Sequence, residues 1–158
     1  MFASIIRLAA TAVVATSLIA PAAAQSADNG VRRVKSAYAM DESISRIKAD
    51  IAAKGILFFQ EVDQAALAAK AGIPLRRSTL LVFGNPPLGT QFITANADAG
   101  LDWPVRLLLT QDEAGAVWAV YTDFEWIARR HAITNRKEQF AMANKVVGSI
   151  TAAIADPR

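Results

Sequence analysis

The chain has no cysteine and a single histidine, His131, among its 158 residues. Without cysteine there is no disulfide, no thiolate zinc site, no iron–sulfur ligation and no cysteine nucleophile. One imidazole excludes a multi-histidine metal site within one chain. The adjacent acids Asp112 and Glu113 lack the spaced oxygen ligands of a calcium loop, so no metal and no cofactor is expected. Charge of one sign is also short: 17 basic against 14 acidic residues leave a formal charge of +3. Basic residues gather only briefly, at Arg32, Arg33 and Lys35, at Arg76 and Arg77, and at Arg129 and Arg130. A nucleic-acid surface needs a stripe, and none is present.

Long apolar runs are limited to one place. Arg7 is the only charged residue before Asp28, and it is followed by the apolar stretch Leu8 to Ala20, Pro21, three alanines and Gln25. A basic start, a short apolar segment and a small-residue cleavage site make a secretory signal over residues 1–24. That stretch is 13 residues long, short of the roughly 20 that span a bilayer. No cysteine follows to carry a lipid, so no stable membrane anchor is expected after cleavage. Removing 24 of the 158 residues leaves 134, with 16 basic and 14 acidic side chains. Residues 25–30 are small and polar and read as a flexible leader, which leaves one domain over 31–158. The expected location is periplasmic or secreted.

Within that domain Val31 to Tyr38 reads as a strand. Ile44, Ile47 and Ile51 fall on one helical face, with Asp41 as the N-cap and Gly55 as the left-handed C-terminal stop. Ile56 to Val62 reads as a short buried strand. Asp63 caps an alanine-rich helix from Gln64 to Ala71, ended by Gly72 and Pro74. Thr79 to Phe83 is another buried strand, cut off by Gly84, Asn85, Pro86 and Pro87. Thr90 to Ala95 reads as a helix in preference to a strand. Pro104 to Thr110 and Ala116 to Thr122 are strands joined through a turn at Asp112–Gly115, which makes an antiparallel hairpin. Phe124 to His131 reads as a helical turn or two. The last helix starts at Thr134 or Asn135 and runs to about Ala155, with Phe140, Ala143, Val147, Ile150 and Ile154 as its apolar stripe. The expected fold class is α+β, a two-layer domain with helices packed on a mixed or antiparallel sheet.

Several of these residues form an ordered set. It begins with Lys54-Gly55-Ile56-Leu57-Phe58-Phe59, Val62-Asp63, Ala66, Ala69 and Gly72. Phe83-Gly84-Asn85-Pro86 with Gly89-Thr90 and Gly100-Leu101-Asp102-Trp103-Pro104 come next, then Tyr121 and Ala128-Arg129-Arg130-His131. The set, from about Val34 to Ile154, resembles the DUF302 family of domains of unknown function. The resemblance implies an α+β domain that commonly forms homodimers, and it supplies no reaction. Trp103 stands where an aliphatic residue is more usual in the family, so an apolar pocket there would differ in shape.

The loop Phe83, Gly84, Asn85, Pro86 is the strongest candidate site. A Gly-Asn pair after a buried strand offers backbone N–H groups and an amide to an anion or a carbonyl oxygen. A plain turn, with Gly84 at positive φ and Asn85 extended before Pro86, explains the same residues. His131 is a candidate general base, or alternatively a charge at a helix C-terminus. Trp103 and Tyr121 are candidate pocket walls, although core or hairpin packing accounts for both. Arg130, with Arg129, is a candidate for an acidic ligand, or else part of a solvated face. Asp63 is explained by capping, Asp102 by a turn. A Ser78-His131-Asp triad lacks a nucleophile elbow.

No catalytic constellation stands out, and the last helix carries a long apolar stripe. Both favour a dimeric small-ligand-binding or interaction module of the cell envelope. The alternative is a hydrolase or isomerase for a small metabolite, with Asn85 and the loop N–H groups stabilising an oxyanion and His131 moving the proton. A carrier of anions or acyl groups through Arg129 and Arg130 is a third reading.

Overall fold

The computed structural model describes residues 29–155. The expected signal sequence over 1–24 lies outside them, as does most of the leader. Ten elements and one short 3-10 turn follow in order. They are β1 (Val31–Lys35), α1 (Met40–Ala53), β2 (Leu57–Asp63), α2 (Gln64–Lys70), β3 (Ser78–Gly84), α3 (Pro86–Ala95), the turn Ala97–Leu101, β4 (Val105–Gln111), β5 (Val117–Thr122), α4 (Phe124–Arg130) and α5 (Lys137–Ala152). The strands form one sheet in the order β1-β5-β4-β3-β2. Every neighbouring pair is antiparallel, including the β4–β5 hairpin.

Alternation along the strands builds the two layers. Leu81, Phe83, Leu107, Leu109, Val117 and Ala119 point to one face, where they meet Met40, Ile47 and Ile51 of α1 and Ile150 of α5. A second cluster joins Phe92 of α3, Phe124 and Ile127 of α4, and Phe140, Ala143 and Val147 of α5. Phe92 and Phe140 stack with ring centres 4.2 Å apart. The alternate residues Leu80, Val82, Leu108 and Val120 are half-buried and join neither cluster. The fold is therefore a two-layer α+β domain, as the pattern of elements predicts.

Four local expectations need correction. α1 begins at Met40 with Ala39 as its N-cap and no side-chain cap. Asp41 lies inside the first turn, where its charge still suits the helix dipole, and it pairs with Arg77 across the surface. β1 ends at Lys35, because Ala37 N–H turns to donate to the Ile154 carbonyl instead of extending the ladder. β2 is not buried: it is an edge strand, and Leu57, Phe58 and Phe59 are 53%, 38% and 47% exposed. A short apolar run has the same sequence in the centre of a sheet and at its rim. The apolar stripe of α5 is spent inside the domain, since Phe140, Ala143, Val147, Ile150 and Ile154 are all buried in its own core. It offers no partner surface.

Gly30, at the end of the expected leader, belongs to the fold. Its carbonyl accepts from Asp123 N–H at 2.7 Å, and a Cβ there would lie 2.4 Å from the Trp126 ring.

Candidate functional site

β3 delivers Phe83 and Gly84 to the end of the sheet, and Asn85 caps α3. The Asn85 backbone is extended, as Pro86 requires, and its Oδ1 accepts from Leu88 N–H at 3.2 Å. The open nest of N–H groups expected of this loop is absent. Pro86 and Pro87 have no N–H, Leu88 N–H is capped, and Gly89 N–H donates to the Asn85 carbonyl at 2.9 Å. Positive φ is not why Gly84 is a glycine, for Gly84 is not among the positive-φ glycines. Its reason is contact: a Cβ on Gly84 would sit 3.2 Å from the Trp103 indole, and one on Gly89 would sit 1.9 Å from Trp103 Nε1.

Trp103 thus lies flat on a two-glycine seat and walls a cleft. Phe83, Gly84, Asn85, Leu88, Phe92 and Trp103 line it on the β3–α3 side, and Val147 and Phe124 close its floor. Its volume is about 30 Å³, room for one or two waters. Ile56, Asn85, Leu88 and Val146 also border a broad surface groove of about 490 Å³ that continues to Lys54, Gln91 and Met142. Phe59 meets Trp103 edge-on at 6.3 Å. No buried polar side-chain atom among the described residues lacks a partner. Among the described residues the Trp103 Nε1–H has no hydrogen-bond partner, and since it is not a buried unpaired atom it reaches solvent.

The residue before Trp103 is fixed from three sides. Asp102 is buried, and its Oδ2 lies 2.6 Å from His131 Nε2. Arg130 Nη1 donates to both carboxylate oxygens at 3.2 Å, and Arg106 Nη2 donates to Oδ1 at 3.3 Å. His131 is 8% exposed and ends α4, with its carbonyl accepting from Asn96 Nδ2 at 2.9 Å. Arg130 also covers the Trp126 ring. His131 is thus buried against Asp102 and not exposed at the helix end, and Asp102 is more than a turn residue. A small recess beside this cluster is lined by Asp102, Arg106, Tyr121 and Thr122. Burial pushes the Tyr121 phenol above its ordinary pKa.

The structure therefore brings Phe83, Gly84, Asn85 and Trp103 to one cleft and places Tyr121, Arg130 and His131 in or beside a separate cluster. His131 lines neither the cleft nor the recess. Pro86 serves as the first residue of α3. Ser78 Oγ donates to Gln64 Oε1 at 2.7 Å and has no bond to His131. Asp63 caps α2 through Ala66 N–H. Asp112 spends its oxygens on Ala114 N–H, Ala116 N–H and Trp118 Nε1–H, and the Trp118 bond foremost holds its carboxyl below the usual range. No group of three metal-ligating side chains occurs among the described residues. The sequence reading missed Phe92, Phe124 and Val147 as cleft walls and the Asp102–His131 pair. Apolar periodicity marks the first three only as core, and no local signal distinguishes a buried aspartate from a turn aspartate.

Three comparisons bear on this geometry. A crystal structure of an uncharacterized conserved DUF302 protein from Bacillus stearothermophilus superposes with a TM-score of 0.73 at 16% identity, covering 80% of this chain and 98% of that one. That likeness establishes the fold. The chain is 36% identical over 113 residues to the fluoride-specific ion channel FluC 1 of Brucella suis and to FluC 2 of Brucella melitensis. The match takes 72% of this chain but only 44% and 42% of those proteins, so the chain spans less than half their length. Residues 32–156 match the model of DUF302, described as a domain of unknown function. With most of its length covered by that match, and with the fold to go with it, the chain belongs to the DUF302 family.

Proposed function

We propose that this chain is an exported, dimeric module that binds a small ligand in the cleft beside the Phe83–Pro86 loop and does no chemistry on it. One observation carries the reading: the run Phe83, Gly84, Asn85 and the more distant Trp103 converge on one cleft with almost wholly apolar walls. Concave apolar sites with few polar groups are where small ligands bind. The hydrolase or isomerase alternative has no comparable support. It needs Asn85 and His131 at one reacting atom, whereas Asn85 borders the cleft and His131 is turned to Asp102.

The dimer reading rests on the two edges of the sheet. β1 carries Arg32, Arg33 and Lys35, charges of the kind that guard an edge against further pairing. β2 begins with Leu57, Phe58 and Phe59, all exposed and uncharged. Its second half carries Glu61 and Asp63, so we assign only the uncharged first half, Leu57 to Phe59, to pairing with β2 of a second copy. Export rests on the basic, apolar and small-residue layout of residues 1–24. The Brucella relatives are named for fluoride conduction. Among the described residues no helix is long and apolar enough to cross a membrane, so we place conduction in the parts of those proteins beyond this domain.

Native mass spectrometry of the protein taken from its export compartment tests all three parts. The expected spectrum is a dimer beginning at Gln25 with a reproducible added mass, and that mass is lost in Leu88→Glu, which puts a charge at the cleft mouth. A monomer without an adduct overturns the ligand and dimer readings together. An intact N-terminus overturns export.

A further inference from the structure

The chemistry of the cleft narrows what it takes, on the assumption that the cleft is the binding site proposed above. We propose that its ligand is uncharged, with an apolar end of a few carbons and a hydrogen-bond-accepting oxygen such as an ester or ketone carbonyl, read by the Trp103 indole N–H.

Charge is excluded by the donors that are missing. Among the described residues no charged side chain lines the cleft. The start of α3 is where an anion would ordinarily be held by free N–H groups, but Pro86 and Pro87 have none and Leu88 N–H is taken by Asn85. An anion seated here would lose its water and gain no replacement, a desolvation cost that apolar walls do not offset. The adjoining groove is no better for a charge. Its one cation among the described residues, Lys54, is held by Asp50 through contacts of 2.6 and 2.5 Å.

Size follows from volume. The inner cleft holds about 30 Å³, so only the end of a ligand enters between Phe83, Phe92 and Val147. The remainder lies in the 490 Å³ groove beside Leu88, Met142 and Gln91. The donor follows from Trp103. Its indole is fixed by the Gly84–Gly89 seat and by the pinned Asp102 before it. Its Nε1–H has no partner among the described residues, while Trp118 Nε1–H is committed to Asp112. A fixed, unmet donor on an apolar wall selects a neutral acceptor.

The test is a pair of compounds with the same six-carbon acyl chain, one neutral and one anionic, followed by ¹H–¹⁵N and methyl ¹H–¹³C NMR of the full mature chain at neutral pH. Methyl hexanoate is expected to move the Trp103 indole resonance, assigned from its loss in Trp103→Phe, to a saturating shift while the Trp118 and Trp126 indoles stay put. Hexanoate is expected to bind at least about tenfold more weakly. Trp103→Phe keeps the aromatic wall and removes the donor. It should weaken the ester about 3- to 10-fold, the share of one net hydrogen bond, as read from the Leu88 and Val147 methyl resonances. Hexanoate binding as tightly as the ester overturns the proposal, as does an unchanged affinity in Trp103→Phe. If neither compound shifts any cleft resonance but the Leu88-sensitive adduct persists, the ligand class is wrong and the site stands. If the adduct is indifferent to Leu88→Glu, the site itself is wrong.

Discussion

Trp103 Nε1 lies directly over the Cα of Gly89, where a Cβ would stand 1.9 Å from it. This one contact joins two stretches of sequence that look unrelated. Gly84 and Gly89, which flank the start of α3, are the seat, and Trp103 before β4 is its occupant. Asp102 fastens the occupant to Arg130 and His131 at the end of α4. Part of the set that made the chain recognisable as a sequence, Gly84, Gly89, Asp102, Trp103, Arg130 and His131, is thus joined through one contact chain.

Gly89→Ala should therefore destabilise the fold by about 1–3 kcal/mol, the range for overpacking a fixed core. Gly148 makes the control, because it lies inside α5 with nothing within 4 Å of an added Cβ. Gly148→Ala should stabilise by roughly 0.5–1 kcal/mol through helix propensity. Urea melts of both variants measure the contrast. Equal effects of the same sign would mean that Trp103 does not rest on Gly89.

Asp102 and His131 should behave as a coupled pair. Asp102→Ala leaves a buried imidazole without its partner, a loss of about 3–5 kcal/mol for a buried pair. The result should fall toward the low end, because Arg106 and Arg130 reach solvent. A double-mutant cycle with His131→Ala should give a coupling of about 1–3 kcal/mol. Additive losses would show that the 2.6 Å contact contributes nothing to stability.

The sequence disclosed the fold where side-chain period alone decides structure. Ile44, Ile47 and Ile51 placed α1, Asp63 placed the start of α2, and the Asp112–Gly115 turn placed the hairpin. It failed where the outcome depends on distant neighbours. Nothing in Leu57-Phe58-Phe59 says that β2 has a partner on one side only. Nothing in Gly84 says that the glycine makes room for an indole 19 residues away instead of turning the chain. The same holds for the site. Phe83, Asn85 and Trp103 were legible as candidates, but the direction of Asp102 depends on α4 returning His131 and Arg130 beneath it.

Ile47→Ala tests the sheet-facing side of α1. Ile47 is fully buried against the sheet-side core, so its truncation should cost about 2–5 kcal/mol. An unchanged melting temperature would place α1 with another face on the sheet.

Asp123 should make stability depend on acid in a defined direction. Burial opposes its charged form, but Trp126 N–H and the Arg32 guanidinium, both bonded at 2.9 Å, outweigh burial and hold its carboxyl below the usual range. A carboxylate more acidic in the folded state than in the unfolded chain adds stability that is fully present above the unfolded value of about 3.9 and is lost as pH falls through the folded value. Asp123 ties β1 to the start of α4, so its protonation releases Arg32 at one edge of the sheet. Asp123→Asn keeps an oxygen for the cap but loses the charge. Its melting temperature should lie below that of the unaltered protein at pH 7, and the two curves should draw together as pH falls below the unfolded value of about 3.9. The acid slope of the variant should be shallower but not flat, since Asp41 and Asp112 are also held below their ordinary range, by Arg77 and by Trp118. Parallel curves from pH 7 to pH 3 would show that the Asp123 charge is not coupled to folding.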